Sequence, residues 1–234
     1  CQKHNLKIMV RLVKGAYWDS EIKHSQTLGD TDFPVFTKKI NTDYSFLVCS
    51  QKLLGMRDRI FPQFASHNAH SLVSICEMAG NNEGYEVQRL HGMGESLHHA
   101  ISKKYGVESR IYAPIGSHKE LLAYLMRRLL ENGANSSFIN HLFDENISPE
   151  ILAADVFSIV EQDSEKSHPK IQLPKDIFNN SHRNSRSVIF TEQFSIDKLY
   201  EKKHIWLDHQ WIAKSIIDGD PIEGKLDQEV RNPS

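Results

Sequence analysis

Cysteine is scarce in this sequence and long apolar runs are missing, and both shortages exclude classes of protein. The 234 residues include three cysteines, Cys1, Cys49 and Cys76, an odd and widely spaced set that argues against a disulfide framework or a zinc knuckle. No apolar stretch reaches the roughly 18 residues that a transmembrane helix needs. Nothing in the sequence resembles a signal peptide. We therefore expect a protein of the reducing cytoplasm.

An excess of charge is missing as well, and so are the motifs of several enzyme classes. The formal net charge of -2 provides no electrostatic reason to expect nucleic acid or an anionic membrane as a partner. The sequence has no Walker A loop, no GxGxxG fingerprint and no Gly-x-Ser-x-Gly elbow, so it offers no sign of a P-loop, a Rossmann site or a serine nucleophile. Its 39% hydrophobic and 25% charged residues are typical of a soluble globular protein.

A regular alternation of strand and helix is what the chain does contain. Short β-branched and apolar runs predict four strands, Lys7–Val13, Ile60–Ala65, Tyr85–Leu90 and Arg110–Ala113. The helices predicted after them are Ser20–Leu28, Lys38–Leu54, His70–Ala79, Ser96–Tyr105 and a segment from Leu121. We expect Asp19 to cap the first helix, and Pro62 weakens the second strand because proline cannot donate to a ladder. Such alternation is typical of parallel strands with crossover helices, in a doubly wound sheet or a (β/α)8 barrel.

Four such units amount to half of a barrel, and the polar loops after all four strands favour a barrel mouth. We therefore predict the second half of a (β/α)8 barrel over residues 1–145 and a helical or irregular connector over 146–234. In the connector we expect a helix at Ile151–Gln162, a surface segment at Asp163–Arg186 and an amphipathic helix at Ile205–Ile217. The chain starts with Cys1 and reaches a strand almost at once, which suggests a piece of a longer protein.

Two adjacent arginines stand on the polar stripe of the otherwise leucine-rich segment Leu121–Asn135. Gly133 is predicted to end this helix, because glycine readily adopts the left-handed conformation found there. One interpretation of the arginines is a solvated face with an Arg127–Glu131 pair. The other is a site for a small carboxylate or phosphate, which the planar guanidiniums of Arg127 and Arg128 match in geometry.

The loop after the first strand has the composition of a phosphate-binding turn. In Lys14-Gly15-Ala16 the backbone amides and one ammonium group could approach a phosphate. Tyr17 and Trp18 could stack on a planar ring. The alternative is a tight turn with buried aromatic side chains.

Histidines follow the second strand, and they also allow two interpretations. His67 and His70 could form half of a metal site. The other candidate ligands are His91, Glu95, His98 and His99. No spacing completes a convincing set, and a hydrogen bond from His67 to a cofactor, with Ser66 donating to a phosphate or hydroxyl group, is at least as reasonable. Leu90 and Tyr112 end the last two strands, where they could wall an apolar pocket or simply fill a barrel interior.

Four segments carry a family resemblance, in the order RLVKGAYWDSEIK, FASHNAHSL, VQRLHGMGE and RIYAPIGSHKELLAYLMRRLLENGANSSFIN. Together they closely resemble the proline dehydrogenase domain of the bifunctional proline utilisation A flavoenzymes, from about Lys7 to Asn140. The remainder resembles the connector that leads to the aldehyde dehydrogenase domain of that family. The final Arg231-Asn232-Pro233 resembles the entry to that domain.

The resemblance implies a (β/α)8 barrel with FAD in its mouth and the oxidation of L-proline to 1-pyrroline-5-carboxylate. It further implies a membrane quinone as electron acceptor, and a cytoplasmic parent enzyme with reversible peripheral membrane association. NAD would serve the absent glutamate-semialdehyde dehydrogenase domain. The residues that the resemblance assigns to the substrate are Arg127, Arg128, Tyr112, Leu90 and Glu131. The residues that it assigns to the cofactor are Arg11, Lys14, Gly15, Ala16, Trp18, Ser66 and His67.

Only the last four of the family's eight strands have counterparts here, and a lysine and acidic groups from earlier strands are absent. We therefore expect the fragment to be inactive alone and to need the remaining segments of the parent enzyme, with self-association through its open edges as the alternative. Two other hypotheses stay open. One is a metal-dependent barrel hydrolase that uses His67, His70 and His91, and the other is a non-catalytic interaction fragment.

Overall fold

The structure is a computed structural model that describes residues 6–133, 148–165, 167–178, 181–186, 188–191, 193–207, 209 and 211–224. It divides into two units, Cys1–Arg186 and Ser187–Ser234. Among the described residues, no helix combines the length and the hydropathy that crossing a bilayer would require.

Four parallel strands form the sheet of the first unit, and they lie side by side in chain order. The strands are β1 (Ile8–Val13), β2 (Ile60–Ala65), β3 (Glu86–Leu90) and β4 (Ser109–Tyr112). All four predicted strands are therefore confirmed, with small shifts at their ends. Pro62 fits in β2 because the pairing with β3 begins one residue later, where Gln63 lies opposite Glu86. The missing N–H at Pro62 thus removes no bond from that ladder.

A helical segment follows each strand, as expected for crossover connections. The helices are α1 (Trp18–Leu28), α2 (Lys39–Leu54), α3 (Ala69–Ala79), α4 (Glu95–Tyr105) and α5 (His118–Gly133). The prediction that Asp19 caps α1 is wrong. The helix begins one residue earlier, with Tyr17 at the cap position and Asp19 in the first turn, where its charge still favours the positive end of the helix. The α/β class with a parallel sheet is confirmed.

The hydrophobic core lies where α2, α3 and α4 meet the sheet. Its central side chains are fully buried, among them Phe64, Leu72, Ile75 and Val87. Strand β3 is buried along its whole length, including the polar residues Glu86 and Gln88. Burial of polar groups is costly unless they are hydrogen-bonded, so these two residues must have partners within the sheet.

Residues 148–186 belong to the first unit. They contain the helices α6 (Pro149–Leu152) and α7 (Val156–Gln162), followed by a 3-10 turn at Pro174–Asp176. The single helix predicted at Ile151–Gln162 is wrong, because the side chain of Asp155 accepts the backbone N–H groups of Phe157 and Ser158 and so starts a new helix. The Lys38 ammonium lies 2.6 Å from an Asp163 carboxylate oxygen and anchors the end of α7 near the start of α2.

The second unit contains helix α8 (Gln193–Leu207) and an antiparallel hairpin of β5 (Ser215–Ile217) and β6 (Asp220–Ile222). The amphipathic helix predicted at Ile205–Ile217 is wrong, since α8 ends at Leu207 and the last three of those residues form a strand. Asp218 and Gly219 both have positive φ, at 54° and 92°, as a two-residue type I′ hairpin turn requires. The Asp-Gly pair was the available signal for this hairpin.

Candidate functional site

Side chains from three of the four strands meet on one face of the sheet. The Nε of Arg11 in β1 donates to Oε1 of Gln88 in β3 at 2.9 Å. The guanidinium carbon of Arg11 also lies 4.9 Å from the ring centroid of Tyr112 in β4. A side chain of the first strand thus reaches the third and the fourth, which indicates that this face is concave. Arg11 and Tyr112, both predicted site residues, are brought together here.

His67 lies in the loop that follows β2 and contacts the end of β3. Its Nε2 accepts the backbone N–H of Leu90 at 3.1 Å. In the neutral ring the proton therefore resides on Nδ1, which makes that nitrogen a donor. A Cβ on Gly94 would come within 3.1 Å of the His67 ring, and Gly94 also has a positive φ of 63°. Glycine at this position thus leaves the space that the imidazole occupies.

Hydrogen bonds of Ser66 and His98 stabilise the same loop. The carbonyl of Ser66 accepts from Nε2 of His98 at 2.9 Å, and the Ser109 hydroxyl lies 2.8 Å from Nδ1. A carbonyl can only accept, so His98 is the Nε2–H tautomer and Nδ1 accepts from Ser109. The Oγ of Ser66 accepts the N–H of Asn68 at 3.2 Å, which orders the turn into α3.

Burial lowers the pKa of His98, and the hydrogen bond to Ser66 opposes this effect. The charge of Arg89, and that of His67 when it is protonated, lower the pKa of His98 further. The stability that neutral His98 confers is fully present above pH 6.5, its ordinary value, and is lost as the pH falls from there toward the lower folded pKa. We expect His98→Gln to weaken the fall in unfolding free energy over this range, measured by denaturant titration. The exposed neighbour variant His99→Gln should keep the wild-type slope, and equal slopes in all three proteins would contradict the assignment.

The Lys14 ammonium is held between two helices. It donates to an Asp43 carboxylate oxygen at 2.6 Å and to the Ser71 hydroxyl at 3.0 Å. Burial raises the pKa of Asp43, but Lys14 and Lys39 together lower it more, so the pKa lies below its ordinary value. A phosphate that approaches Lys14 would therefore share this ammonium with Asp43.

The rest of the loop after β1 is open to solvent on one side. Trp18 fixes its ring by donating its indole N–H to the Phe36 carbonyl at 3.0 Å, and 44% of the residue remains exposed. A Cβ on Gly15 would lie 3.3 Å from the Tyr17 ring, so glycine permits this close turn, and Ala16 is half-buried beside it. The loop thus offers one aromatic face and accessible backbone, as a cofactor-binding turn would.

The two arginines of α5 are half-buried and lie against aromatic rings. The guanidinium carbon of Arg127 is 5.1 Å from the ring centroid of Tyr17, and that of Arg128 is 5.3 Å from the ring of Tyr124. Helix α5 follows β4, so the contact with Tyr17 brings Arg127 to the loop that follows β1. Within the described part of the chain, the Nε of Arg127 is buried and has no hydrogen-bond partner. The side chain of Glu131 lies outside the described residues, and its pairing with Arg127 stays a prediction.

The donor set at this end of the sheet is of one chemical kind. Guanidinium, ammonium and imidazole N–H groups from Arg11, Lys14 and His67 all lie in or after the first two strands. Groups of this kind suit phosphate oxygens and carboxylates. The Nε of Arg127 is a further buried donor, and it has no acceptor among the described residues. The described residues therefore fit an anionic cofactor together with an anionic substrate.

A metal centre finds no support in the described ranges. No group of three or more His, Cys, Asp and Glu side chains there is placed to hold an ion. His67 uses Nε2 for the Leu90 amide, and His98 uses both ring nitrogens within the loop. The hypothesis of a metal-dependent hydrolase therefore has no structural basis in this part of the chain.

Sequence reasoning missed three polar residues on the concave face. Glu86, Gln88 and Arg110 form a hydrogen-bonded cluster beside Arg11. The available signal was the spacing of Glu86 and Gln88, two polar residues that lie two positions apart in a strand and therefore on the same face.

Comparison with known proteins places this geometry in a family. The family model for proline dehydrogenase matches residues 1–141. The bifunctional protein PutA of Klebsiella aerogenes is 43% identical over 242 residues, which cover 97% of this chain and 18% of that protein. The bifunctional protein PutA of Escherichia coli strain K12 is 45% identical, with the same coverage of 97% and 18%. The chain thus spans less than a fifth of the length of these curated relatives.

Solved structures agree with the sequence match. A crystal structure of a bifunctional proline utilization A (PutA) protein superposes with a TM-score of 0.80 at 46% identity, covering 91% of this chain and 22% of that one. The superposition extends well beyond the residues that the family model matches. Sequence and fold therefore agree, and the chain belongs to the proline dehydrogenase family.

Proposed function

We propose that this chain is part of an FAD-dependent enzyme that oxidises L-proline to 1-pyrroline-5-carboxylate. Three contacts carry the proposal, in a chain of the proline dehydrogenase family. Arg11 lies against Tyr112, Arg127 lies against Tyr17 in the loop after β1, and His67 in the loop after β2 accepts the Leu90 amide at the end of β3. A membrane quinone is the proposed acceptor of the electrons. The resemblance also suggests a cytoplasmic protein with reversible peripheral membrane association and a separate NAD-dependent domain, and both remain predictions.

The proposed substrate site has one part for the carboxylate of proline and another for its apolar ring. Arg127 and Arg128 would bind the carboxylate through planar, charge-assisted hydrogen bonds. Leu90, which is 6% exposed, and the half-buried Tyr112 would line the apolar ring. Glu131 is proposed to support the arginines. The unbonded, buried Nε of Arg127 supports this arrangement, because a substrate carboxylate would supply an acceptor near it.

The proposed flavin site lies along the first two strand ends. Its residues are Arg11, Lys14, Gly15, Ala16, Trp18, Ser66 and His67. Lys14 and the backbone of Gly15 would contact the pyrophosphate, and the exposed face of Trp18 would contact the adenosine. His67 would donate from Nδ1, because Nε2 is committed to Leu90. When bound, the flavin supplies the hydride acceptor, while the protein holds and orients the reactants.

A half barrel over residues 1–145, with a connector over 146–234, is part of the proposal, and the open edges of the sheet support the half barrel. In the described part of the sheet, β1 and β4 are edge strands, and Ile8 and Met9 of β1 are 56% and 65% exposed. The apolar stripe of α5 is also open, with Leu125 at 46% and Leu129 at 64%. Open edges and apolar faces of this kind favour association. We propose that the remaining segments of the parent enzyme cover them, with self-association of the chain as the alternative outcome.

The proposal is tested by assaying the complete protein and this chain alone for flavin absorbance and proline:quinone reductase activity. We expect the complete protein to be yellow and active and the chain alone to be inactive. An absence of activity from the complete protein would contradict the proposed reaction. An active, stoichiometrically yellow monomer of this chain alone would contradict the half barrel and leave the reaction intact.

A further inference from the structure

A polar cluster crosses the concave face of the sheet below Arg11. Its centre is the carboxylate of Glu86, which is 1% exposed. Arg110 binds it through both ends of the guanidinium, with Nε to Oε1 and Nη2 to Oε2 both at 2.7 Å. Gln63 and Gln88 each donate an amide N–H to Oε1 at 2.7 Å. The carboxylate thus accepts four hydrogen bonds from three neighbours.

We propose that Gln88 is a positioning residue for Arg11, and that Glu86 fixes the orientation of Gln88. The inference rests on the proposed flavin function, in which Arg11 contacts the cofactor. The step between Glu86 and Arg11 is a single side-chain amide, which donates to the carboxylate and accepts from the guanidinium at 2.9 Å.

The chemistry of the two neighbours leaves the amide of Gln88 one orientation. An ionised carboxylate only accepts hydrogen bonds, so the NH2 group must face Glu86. A guanidinium only donates, so the carbonyl oxygen must face Arg11. If the amide turned over, it would place an acceptor against an acceptor and a donor against a donor. Because Gln88 is 5% exposed, water cannot readily compensate for such a mismatch.

The fixed amide also fixes one nitrogen of Arg11. Its Nε is used by Gln88, and its guanidinium lies over the ring of Tyr112. Among the described residues, the terminal nitrogens of Arg11 make no side-chain or backbone hydrogen bond, so they are available to a ligand. An arginine held at Nε and on one face loses less conformational freedom when it binds a ligand.

Gln63 provides a matched comparison within the same cluster. It is also a glutamine, it donates to the same oxygen of Glu86 at the same distance, and it stands opposite Arg11 in the register of the sheet. Its amide nitrogen nevertheless contacts Glu86 and the sulfur of Met9, not Arg11. Loss of Gln63 therefore perturbs the buried carboxylate without removing the acceptor of Arg11.

The test uses the complete protein and measures the midpoint potential of the bound flavin and its dissociation constant. Arg11→Met defines the full effect of losing the guanidinium. We expect Gln88→Leu to reproduce more than half of the shift in potential caused by Arg11→Met. Gln63→Leu should stay near the wild type. The double variant of Arg11→Met with Gln88→Leu should shift no further than Arg11→Met alone, because one interaction is removed in both cases.

Thermal unfolding of each variant separates positioning from a structural role, which would lower stability without shifting the potential. A wild-type potential in Gln88→Leu, or shifts that add in the double variant, would overturn the positioning role while the proposed function stands. A wild-type protein that contains no flavin would overturn the proposed function and this inference with it. The protection of the Arg11 Nε–H in NMR spectra gives a readout without the cofactor, and unchanged protection in Gln88→Leu would also contradict the inference.

Discussion

Replacing Arg128 with methionine is expected to raise the Michaelis constant for L-proline by roughly 10- to 150-fold, while flavin stays bound. The magnitude follows from the loss of hydrogen bonds to a charged partner, worth about 1.5–3 kcal/mol. Methionine has about the length of the apolar stem of arginine, so the packing of α5 against its surroundings is largely preserved. Steady-state kinetics in the complete protein, together with the flavin spectrum, provide the measurement.

Arg59→Met is the matched control for this experiment. Arg59 is a surface arginine whose Nε lies 3.7 Å from the carboxylate of the adjacent Asp58, and its side chain is 50% exposed. This variant should leave the Michaelis constant unchanged, because exposed pairs of this kind contribute little. An unchanged constant in Arg128→Met as well would refute the role of Arg128 in binding the proline carboxylate.

Replacing Arg110 with methionine is expected to lower the free energy of unfolding at pH 7, because it removes the cation that binds the Glu86 carboxylate through two hydrogen bonds. The reason is the asymmetry of the pair, since Glu86 is 1% exposed whereas the Arg110 side chain is 56% exposed. Removal of the arginine leaves a buried carboxylate without its counter-charge. Denaturant titration of the chain measures the loss, and Arg59→Met serves again as the control that should lose less than about 1 kcal/mol.

The pH dependence of that loss has a definite sign. In the wild type, the hydrogen bonds from Arg110 lower the pKa of Glu86, opposed by burial and aided by Gln88 and Gln63. A lowered pKa means that Glu86 contributes stability above pH 4.5, its ordinary value, and loses it as the pH falls toward the folded value. Without Arg110, burial would raise the pKa instead, so the variant should gain relative stability on acidification. A difference in unfolding free energy between the two proteins that stays constant as the pH falls through and below 4.5 would contradict this account.

The elements of the fold were predictable where the local pattern determined them. The β-branched and apolar run at Lys7–Val13 indicated a strand, because such side chains pack well on a pleated sheet. The prediction of an amphipathic helix at Ile205–Ile217 was wrong. Hydrophobic residues at helical spacing were given more weight than the turn signal at Asp218-Gly219, which marks a hairpin. The break between two helices at Asp155 was missed for a related reason. The Asp155 side chain caps the next helix by accepting the backbone N–H groups of Phe157 and Ser158, and this contact does not interrupt the apolar pattern.

The residues of the candidate site were named from sequence motifs, but their contacts were not predictable in the same way. Arg11 and Gln88 are 77 positions apart, and only the register of three strands brings them together. The partnership of Lys14 with Asp43 likewise depends on how α2 packs beside β1. The tautomer of His67 follows from one hydrogen bond to the Leu90 amide. Long-range pairings of this kind depend on topology, which local propensity does not encode.

The most direct measurement is an anaerobic titration of the complete protein with L-proline, followed through the visible absorbance of its flavin. Pyrrolidine, which has the same ring without the carboxylate, is titrated in parallel. The account predicts that L-proline bleaches the flavin and that pyrrolidine requires at least about tenfold more, because only proline can engage Arg127 and Arg128. A protein without flavin, or equal potency of the two compounds, would contradict the account.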